Sequence, residues 1–172
     1  SPVYAKYGKG GQDACHSIQK TSDGSYIMTG KISVPNAGTW NVDLFVHKLG
    51  DNGWSDYKLF GGDGEDVGYA ISETNDGTNY IISGATSSIG VNYSVENWGD
   101  FNAYAAWLLK TDIYGNEEWS NTFYKGTYDD YSYSVIQDSN DGGYVMTGTA
   151  SNTHQYGESD PGGEDSNVLM IK

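Results

Sequence analysis

The sequence contains no arginine, and its nine basic residues are all lysine. Twenty-three acidic residues give a formal net charge of −14. Nucleic-acid binding needs a basic surface that neutralises phosphates, and anionic membranes attract clusters of Lys and Arg. We therefore expect neither nucleic acid nor a membrane as a partner.

Cysteine, proline and long apolar segments are also scarce. The chain has three prolines and one cysteine, Cys15, in 172 residues, so no disulfide can form within it. No segment approaches the roughly 20 apolar residues of a membrane helix, which argues against membrane insertion. The chain begins Ser1-Pro2 without Met, which we interpret as a processed or trimmed terminus.

Glycine and tyrosine are abundant instead, with 24 Gly and 15 Tyr. Together with Asn, Asp and Ser, these residues are typical of short strands separated by tight turns. No segment shows a sustained apolar period of 3.6 residues. The composition therefore predicts an all-β fold with almost no helix.

A pattern occurs three times along the chain. In each copy an Asp opens a strand-like segment, an Asp-Gly turn follows, and a second β-rich segment ends in Gly. The opening residues are Asp13, Asp66 and Asp130, the turns are Asp23-Gly24, Asp76-Gly77 and Asp141-Gly142, and the closing residues are Gly30, Gly84 and Gly148. Asp-Gly between β-rich segments predicts a hairpin with a type I′ turn.

Two further strands complete the pattern. A nearly continuous apolar segment that ends in Lys predicts a third strand at 43–48, 106–110 and 168–172. A segment that starts at Trp predicts a fourth strand at 54–60 and 119–124. Four short antiparallel strands in each copy are typical of a β-propeller blade.

The copies are out of phase with the chain. The spacing from Tyr7 to Asp13 equals the spacing from Phe60 to Asp66, so 3–8 matches a fourth strand that precedes the first copy. We predict a single β-repeat domain over 1–172, with an orphan fourth strand at 3–8 and blades at 12–61, 65–125 and 129–172. The last blade lacks a fourth strand, which the assembly strand would supply within the chain or in a neighbouring subunit. This assembly strand comprises Val3, Tyr4, Ala5, Lys6 and Tyr7.

Three blades are too few to close a propeller, which has about 4 to 8. Two chains that exchange the assembly strand would form a six-bladed ring, and head-to-tail donation would form a filament. The remaining interpretations are a fragment of a longer propeller and a different closed β fold. We expect a homo-oligomer, either dimer or polymer.

The repeat resembles the DGGY-type propeller repeats of bacterial and archaeal secreted and surface proteins. The resemblance rests on Gly61-Gly62 before Asp66, Asp76-Gly77 before Tyr80, the strand that ends at Lys110, and Trp119. It covers nearly the whole chain. It implies an extracellular or cell-surface location and a role in structure or recognition, and it implies no catalytic residues.

Three long connections, at 31–41, 85–103 and 149–167, join the second and third strands of the copies. Long loops on a rigid scaffold commonly carry binding sites, and aromatic residues beside polar groups suit sugar rings or protein partners. The alternative is that these aromatic residues pack over their own loops. The ligand-binding candidates are Trp40, Tyr93, Trp98, Phe101 and Tyr156.

Acidic residues recur at the start of each copy and cluster in the third connection. The repeated Asp13, Asp66 and Asp130 suit a structural role in capping loop N–H groups, with Ca²⁺ binding as the alternative. The third connection adds tentative ligands for Ca²⁺, the one cofactor considered. These ligands are Asp160, Glu164 and Asp165.

The sequence does not favour an enzyme. A sialidase-like propeller needs an arginine cluster, His16, His47 and His154 lack zinc spacing, and no G-x-S-x-G or P-loop motif occurs. The acidic residues leave a carboxylate pair of the glycoside hydrolase type open. We predict a non-catalytic extracellular assembly protein that joins subunits by β-strand exchange, with a lectin-like or adhesin-like binding module as the alternative.

Overall fold

The protein folds into β-strands joined by turns, as a computed structural model of the chain shows. The structure describes residues 10–36, 39–88, 103–123, 129–151 and 166–172. Within these ranges it contains eleven strands and no helix, which confirms the predicted all-β class. The strands are β1 (Ala14–Lys20), β2 (Tyr26–Asn36), β3 (Thr39–Leu49), β4 (Lys58–Phe60), β5 (Asp66–Glu73), β6 (Asn79–Thr86), β7 (Ala105–Asp112), β8 (Glu117–Phe123), β9 (Tyr131–Gln137), β10 (Tyr144–Ser151) and β11 (Ser166–Ile171).

The strands form three antiparallel sheets in chain order. Sheet 1 contains β1 to β4, sheet 2 contains β5 to β8, and sheet 3 contains β9 to β11. Within each sheet, each strand pairs with the next one along the chain. The described residues do not close into a barrel or a propeller ring.

The Asp-Gly turns are longer than the two-residue type I′ turns that the sequence predicts. In the first hairpin the Gly24 N–H donates to Thr21 O and the Thr21 N–H donates to Ser25 O, which encloses a three-residue loop. Gly24 takes a φ of +85°, a value that favours glycine. The Asp23 side chain accepts hydrogen bonds from Thr21 Oγ1 and Ser25 N, at 2.6 and 3.0 Å. These side-chain bonds stabilise the longer loop.

The fourth strand of the first copy is shorter than predicted. It covers Lys58–Phe60 rather than 54–60. Trp54 lies outside it because its ring packs against the core between sheets 1 and 2. There its Nε1 donates a hydrogen bond of 3.1 Å to Ile113 O.

The core lies between the faces of neighbouring sheets. Sheet 1 contributes Ile27, Leu44 and Val46, which contact the sheet 2 residues Ile71, Tyr80, Ile82, Trp107 and Leu109. The opposite face of sheet 2 carries Ile81, Ala106 and Leu108, which pack against the sheet 3 residues Val135, Met146 and Leu169. Sheet 2 is therefore covered on both faces, as its apolar third strand predicts.

A β-bulge occurs at the same place in each sheet. The register shifts between Cys15 and Ser17 in β1 and between Gly68 and Ala70 in β5, and β9 shifts opposite Thr147/Gly148. Opposite each bulge stands the Gly that closes the repeated motif. A Cβ on Gly84 would lie 2.0 Å from the Val67 carbonyl oxygen, so the strands approach too closely for a side chain.

This contact predicts a large loss of stability for Gly84→Ala. The clash is with backbone of a paired strand, which cannot move without breaking the sheet. We expect a loss of about 3 kcal/mol or more, or failure to fold. Chemical denaturation of the purified variant measures it.

Gly143→Ala is the matched control. The nearest atom to a Cβ there is the Asp141 side-chain oxygen at 3.1 Å, on an exposed turn. A change of less than about 1 kcal/mol is expected for this variant. Equal losses at Gly84 and Gly143 would contradict the close approach of the strands.

Candidate functional site

An open cleft of about 310 Å³ lies where sheets 1 and 2 meet. Three separate segments line it: the start of β3, the connection from β4 to β5, and the residues beside β6 and β7. The lining residues are Trp40, Asn41, Asp63, Gly64, Glu65, Ser87 and Tyr104. An exposed indole, a phenol and two carboxylates therefore share one concave surface.

Short hydrogen bonds hold the cleft in shape. The Glu65 N–H donates to Ser87 Oγ at 2.7 Å, and the Ser87 N–H donates back to Glu65 O at 2.9 Å. The Asn41 amide donates to Gly62 O at 2.9 Å. Tyr104 donates its hydroxyl to the Glu65 carboxylate. The polar groups of the cleft are thus positioned by the two sheets and their connection.

The Tyr104 hydroxyl remains a donor at neutral pH. Burial and the neighbouring Glu65 carboxylate raise the pKa of Tyr104 far above its ordinary value. The pKa of Tyr131 is raised for related reasons, by burial and by Asp129. Both phenols therefore stay protonated and hold the acceptor side chains beside them.

An aromatic ladder runs from the cleft along the first strands of the sheets. Tyr104 lies 5.3 Å from Tyr131, and Tyr131 stacks on Tyr133 at 5.9 Å. Tyr133 contacts Tyr69 at 5.1 Å, and Tyr69 stacks on His16 at 5.3 Å. His16, Tyr69 and Tyr133 occupy the three bulges, so one repeated backbone irregularity aligns these rings.

The repeated acids Asp13 and Asp66 engage in internal hydrogen bonds. Asp13 accepts from the Ser33 N–H at 2.8 Å. Asp66 is fully buried and accepts from the Gly62 N–H at 3.0 Å and from Ser88 Oγ at 2.6 Å. Asp130 is buried, and its N–H donates to Tyr104 O at 2.7 Å. The side-chain contacts of Asp13 and Asp66 suit the capping role, and Ca²⁺ binding stays a prediction.

The described residues contain no group of three His, Cys, Asp or Glu side chains arranged to hold a metal ion. The tentative ligands in the third connection lie outside the described residues, so the structure does not bear on them. These residues are Asp160, Glu164 and Asp165.

Asp43 carries a buried carboxylate oxygen without a hydrogen-bond partner, and so does Asp66. Burial and the negative charge of Asp66 raise the pKa of Asp43 to about 6. Burial likewise raises the pKa of Asp66, against the hydrogen bonds from Ser88 and Gly62. The first two sheets therefore hold two acids whose charged forms oppose folding.

The first and last sheets each have one outer face. The residues exposed there occupy positions of the repeat that are buried in the other sheets, and we call residues at the same position of the repeat counterparts. On sheet 3 we define the forward face by Ile136, Val145, Val168 and Met170. Val168 and Met170 are 86% and 73% exposed, whereas their sheet 1 counterparts Leu44 and Val46 are at most 1% exposed. The next sheet covers Leu44 and Val46, and no described sheet covers Val168 and Met170.

The opposite outer face lies on sheet 1, and we define this rear face by Cys15, Ile18, Tyr26 and Met28. Ile18 is 59% exposed, whereas its counterpart Ile71 is 5% exposed against sheet 1. Tyr26 is 47% exposed, whereas Tyr80 is fully buried. Cys15 is exposed and unpaired as well.

Among the sequence-predicted ligand residues, Trp40 alone falls within the described ranges. It lines the cleft and is 57% exposed. The prediction of a long loop at 31–41 was wrong, because β2 and β3 pair through most of this segment and place Trp40 on a strand. The other four candidates lie outside the described residues. They are Tyr93, Trp98, Phe101 and Tyr156. The assembly strand at 3–7, with Val3, Tyr4, Ala5, Lys6 and Tyr7, also lies outside them.

Sequence reasoning missed most of the cleft. Glu65, Tyr104 and Ser87 carry no motif, because they come from segments far apart in the chain. One available signal was position: Glu65 directly precedes the repeated Asp66, Ser87 lies near the start of the long second connection, and Tyr104 directly follows that connection. The ladder had a clearer signal, since His16, Tyr69 and Tyr133 occupy the same place in the three copies.

Comparison with known proteins gives no family for this chain. No protein-family model and no curated protein matches it. The resemblance to DGGY-type repeats therefore stays a prediction. The described part of the chain has no helix of the length and hydrophobicity that a membrane crossing requires.

The raised pKa of Asp43 predicts that Asp43→Asn stabilises the protein at neutral pH. The folded-state pKa of about 6 lies above the ordinary 3.8, so the stability of the natural protein falls as pH rises from about 4 to about 6. Above that window the penalty is constant. We expect a gain of about 1 kcal/mol at pH 7.5 after allowance for solvent screening, and a vanishing difference near pH 4. Chemical denaturation at several pH values measures it.

Asp51→Asn is the control for this effect. Asp51 lies on the exposed turn between β3 and β4, so its replacement removes the same charge without touching a buried carboxylate. A pH-independent difference at Asp43, or the same pH profile at Asp51, would show that the burial of Asp43 is not the cause.

Proposed function

We propose that this chain is a non-catalytic extracellular assembly protein whose copies join end to end. The carrying observation is the pair of complementary outer faces. The forward face of sheet 3 matches the faces that sheets 1 and 2 bury. The rear face of sheet 1 matches only part of the faces that sheets 2 and 3 bury, because Phe45 and His47 on that side are already buried within the chain, with Tyr57 packed against both. A second copy supplies for each outer face the partner that the repeat has inside the chain.

The apolar character of the faces supports this proposal. Complete burial of an aliphatic side chain stabilises by about 1.5 to 3 kcal/mol. Val168, Met170, Ile136 and Ile18 are each at least 59% exposed. Three of these side chains lie on the forward face and Ile18 lies on the rear face. Large exposed apolar patches are uncommon on a monomer and mark interaction sites.

The two faces differ in composition, so their union is head to tail. Such a contact gives a ring when the rotation closes and a filament when it does not. A six-bladed ring of two chains would cover every outer face, and an open filament would cover all except those at its two ends. We also propose that each sheet is one blade of a propeller, so that stacked sheets from two chains would close into a ring.

Strand exchange is the second part of the proposal. Sheet 3 has three described strands where sheets 1 and 2 have four, and β11 is the edge strand at which a fourth strand would pair. An unpaired edge strand recruits another strand. The segment 3–7 matches the fourth strands in sequence and would pair with β11 of a neighbouring copy.

The composition supports the extracellular location and the absence of catalysis. The chain has a single cysteine, a net charge of −14 and many Gly, Asn and Tyr residues. No nucleophile motif or zinc spacing occurs in it. Assembly requires neither a cofactor nor a nucleic-acid partner.

Charged substitutions on the faces test the head-to-tail contact. Ile18→Glu removes the rear face and Val168→Glu removes the forward face, and both side chains are exposed enough to leave the fold intact. We expect the natural chain to associate and each variant to be monomeric by light scattering. An equimolar mixture should form a heterodimer, because each variant retains the face that the other lacks.

Tyr114→Glu is the control, since Tyr114 is 66% exposed on the β7–β8 turn, away from both faces. It should assemble as the natural chain does. A monomeric natural chain, or a mixture that stays monomeric, would overturn end-to-end assembly.

Deletion of residues 1–8 tests strand exchange separately. The truncated chain keeps both apolar faces and loses the exchanged strand, so association should weaken by at least about tenfold. Deletion of residues 1–2 leaves 3–8 in place and serves as the control. Circular dichroism verifies that both truncated chains fold. If the longer deletion leaves the dissociation constant unchanged, the assembly does not use strand exchange.

A further inference from the structure

We propose that the cleft between sheets 1 and 2 binds a pyranose sugar that carries no negative charge. This site is distinct from the two outer faces. Four features of the described residues support it: an exposed aromatic platform, fixed polar groups, the sign of the local charge, and the size of the cleft.

Trp40 supplies the platform. Its indole is 57% exposed although Trp is usually covered in a folded domain. It stands on β3, where it pairs with Pro35 of β2, so the backbone that carries it is held by a sheet and not by a free loop. A rigid aromatic face of this kind packs against the C–H face of a sugar ring at low entropic cost.

The polar groups of the cleft suit hydroxyl groups. The Glu65 carboxylate is positioned by the Tyr104 hydroxyl, and each carboxylate oxygen can accept more than one hydrogen bond. Asp63 is exposed in the same cleft. Carboxylates accept hydrogen bonds from sugar hydroxyls, and charged acceptors form the stronger bonds. The site thus has acceptors fixed beside the platform.

The charge of the site excludes acidic sugars. Asp63 and Glu65 both line the cleft, and no ion pair among the described residues includes either of them. The chain as a whole carries −14. A carboxylated or sulfated sugar would meet uncompensated negative charge, whereas a neutral sugar or an amino sugar would not.

The size of the cleft sets how many sugar rings can bind inside it. Small-molecule sites have volumes of about 300 to 1,000 Å³, and this cleft lies at the lower end of that range. It therefore takes about one or two sugar rings, and the open sides let a longer chain continue.

The experiment begins with a printed array of oligosaccharides that covers neutral, amine-bearing and carboxylated chains. Isothermal titration calorimetry then measures the binding of the strongest array ligand and of three hexamers. These are cellohexaose, the β-1,4-linked glucosamine hexamer and the α-1,4-linked galacturonate hexamer. We expect binding of neutral or amine-bearing chains and none of carboxylated chains. Trp40→Ala should lower the affinity at least about tenfold.

Two further variants test the contribution of the Glu65 charge and control for the loss of an aromatic side chain. Glu65→Gln should weaken an amine-bearing chain about fivefold more than a neutral one, since it removes the charge and keeps an acceptor. Tyr114→Ala removes an aromatic residue of comparable exposure from the β7–β8 turn and should leave the affinity unchanged.

The outcomes are decisive in either direction. Absence of signal from every arrayed sugar, preference for carboxylated chains, or equal losses in Trp40→Ala and Tyr114→Ala would each overturn the sugar site. Light scattering of Trp40→Ala shows whether assembly is intact, because Trp40 is on neither outer face. Failure of the sugar site therefore leaves end-to-end assembly standing, and failure of assembly leaves the sugar site standing.

Discussion

Sheet-on-sheet stacking is the constraint on which the rest of this structure depends. Every sheet has two faces, and in sheet 2 both are apolar and both are covered. Leu44 and Val46 fill the first junction, and Ala106 and Leu108 fill the second. Because burial of these side chains is the main favourable term, a sheet of this kind is stable only when it has neighbours. The two outer faces have no such neighbour among the described residues, and the proposed assembly would cover them for the same reason that the sheets stack.

The close stacking of sheets 1 and 2 constrains the first strand of sheet 2. A Cβ on Gly68 would lie 2.1 Å from Thr29 Oγ1 of the preceding sheet, so a side chain there would force the sheets apart. The adjacent bulge inserts Tyr69 and leaves it free to contact His16 and Tyr133. The stacking of the sheets therefore requires a small residue at Gly68, and the bulge beside it aligns the aromatic rings.

Local patterns in the sequence predicted the sheets because a hairpin is encoded by neighbouring residues. Asp-Gly turns, strand alternation and the closing Gly all lie within one copy, and the three antiparallel sheets agree with them. The turn length and the start of β4 were wrong, because the Asp23 side chain and the packing of Trp54 determine them. The cleft was largely out of reach, since Trp40, Glu65 and Tyr104 meet only when two sheets stack.

The two internal junctions carry an acid at the same position of the repeat, and a junction between copies would not. Glu65 at the first junction and Asp129 at the second each accept from a tyrosine hydroxyl, Tyr104 and Tyr131 respectively. A junction between copies would place Gln12 at the same position, and its N–H already donates to Ser33 Oγ as the Glu65 N–H donates to Ser87 Oγ. The backbone arrangement would recur there without the acid. Assembly would therefore add a junction that lacks the acid found at both internal junctions.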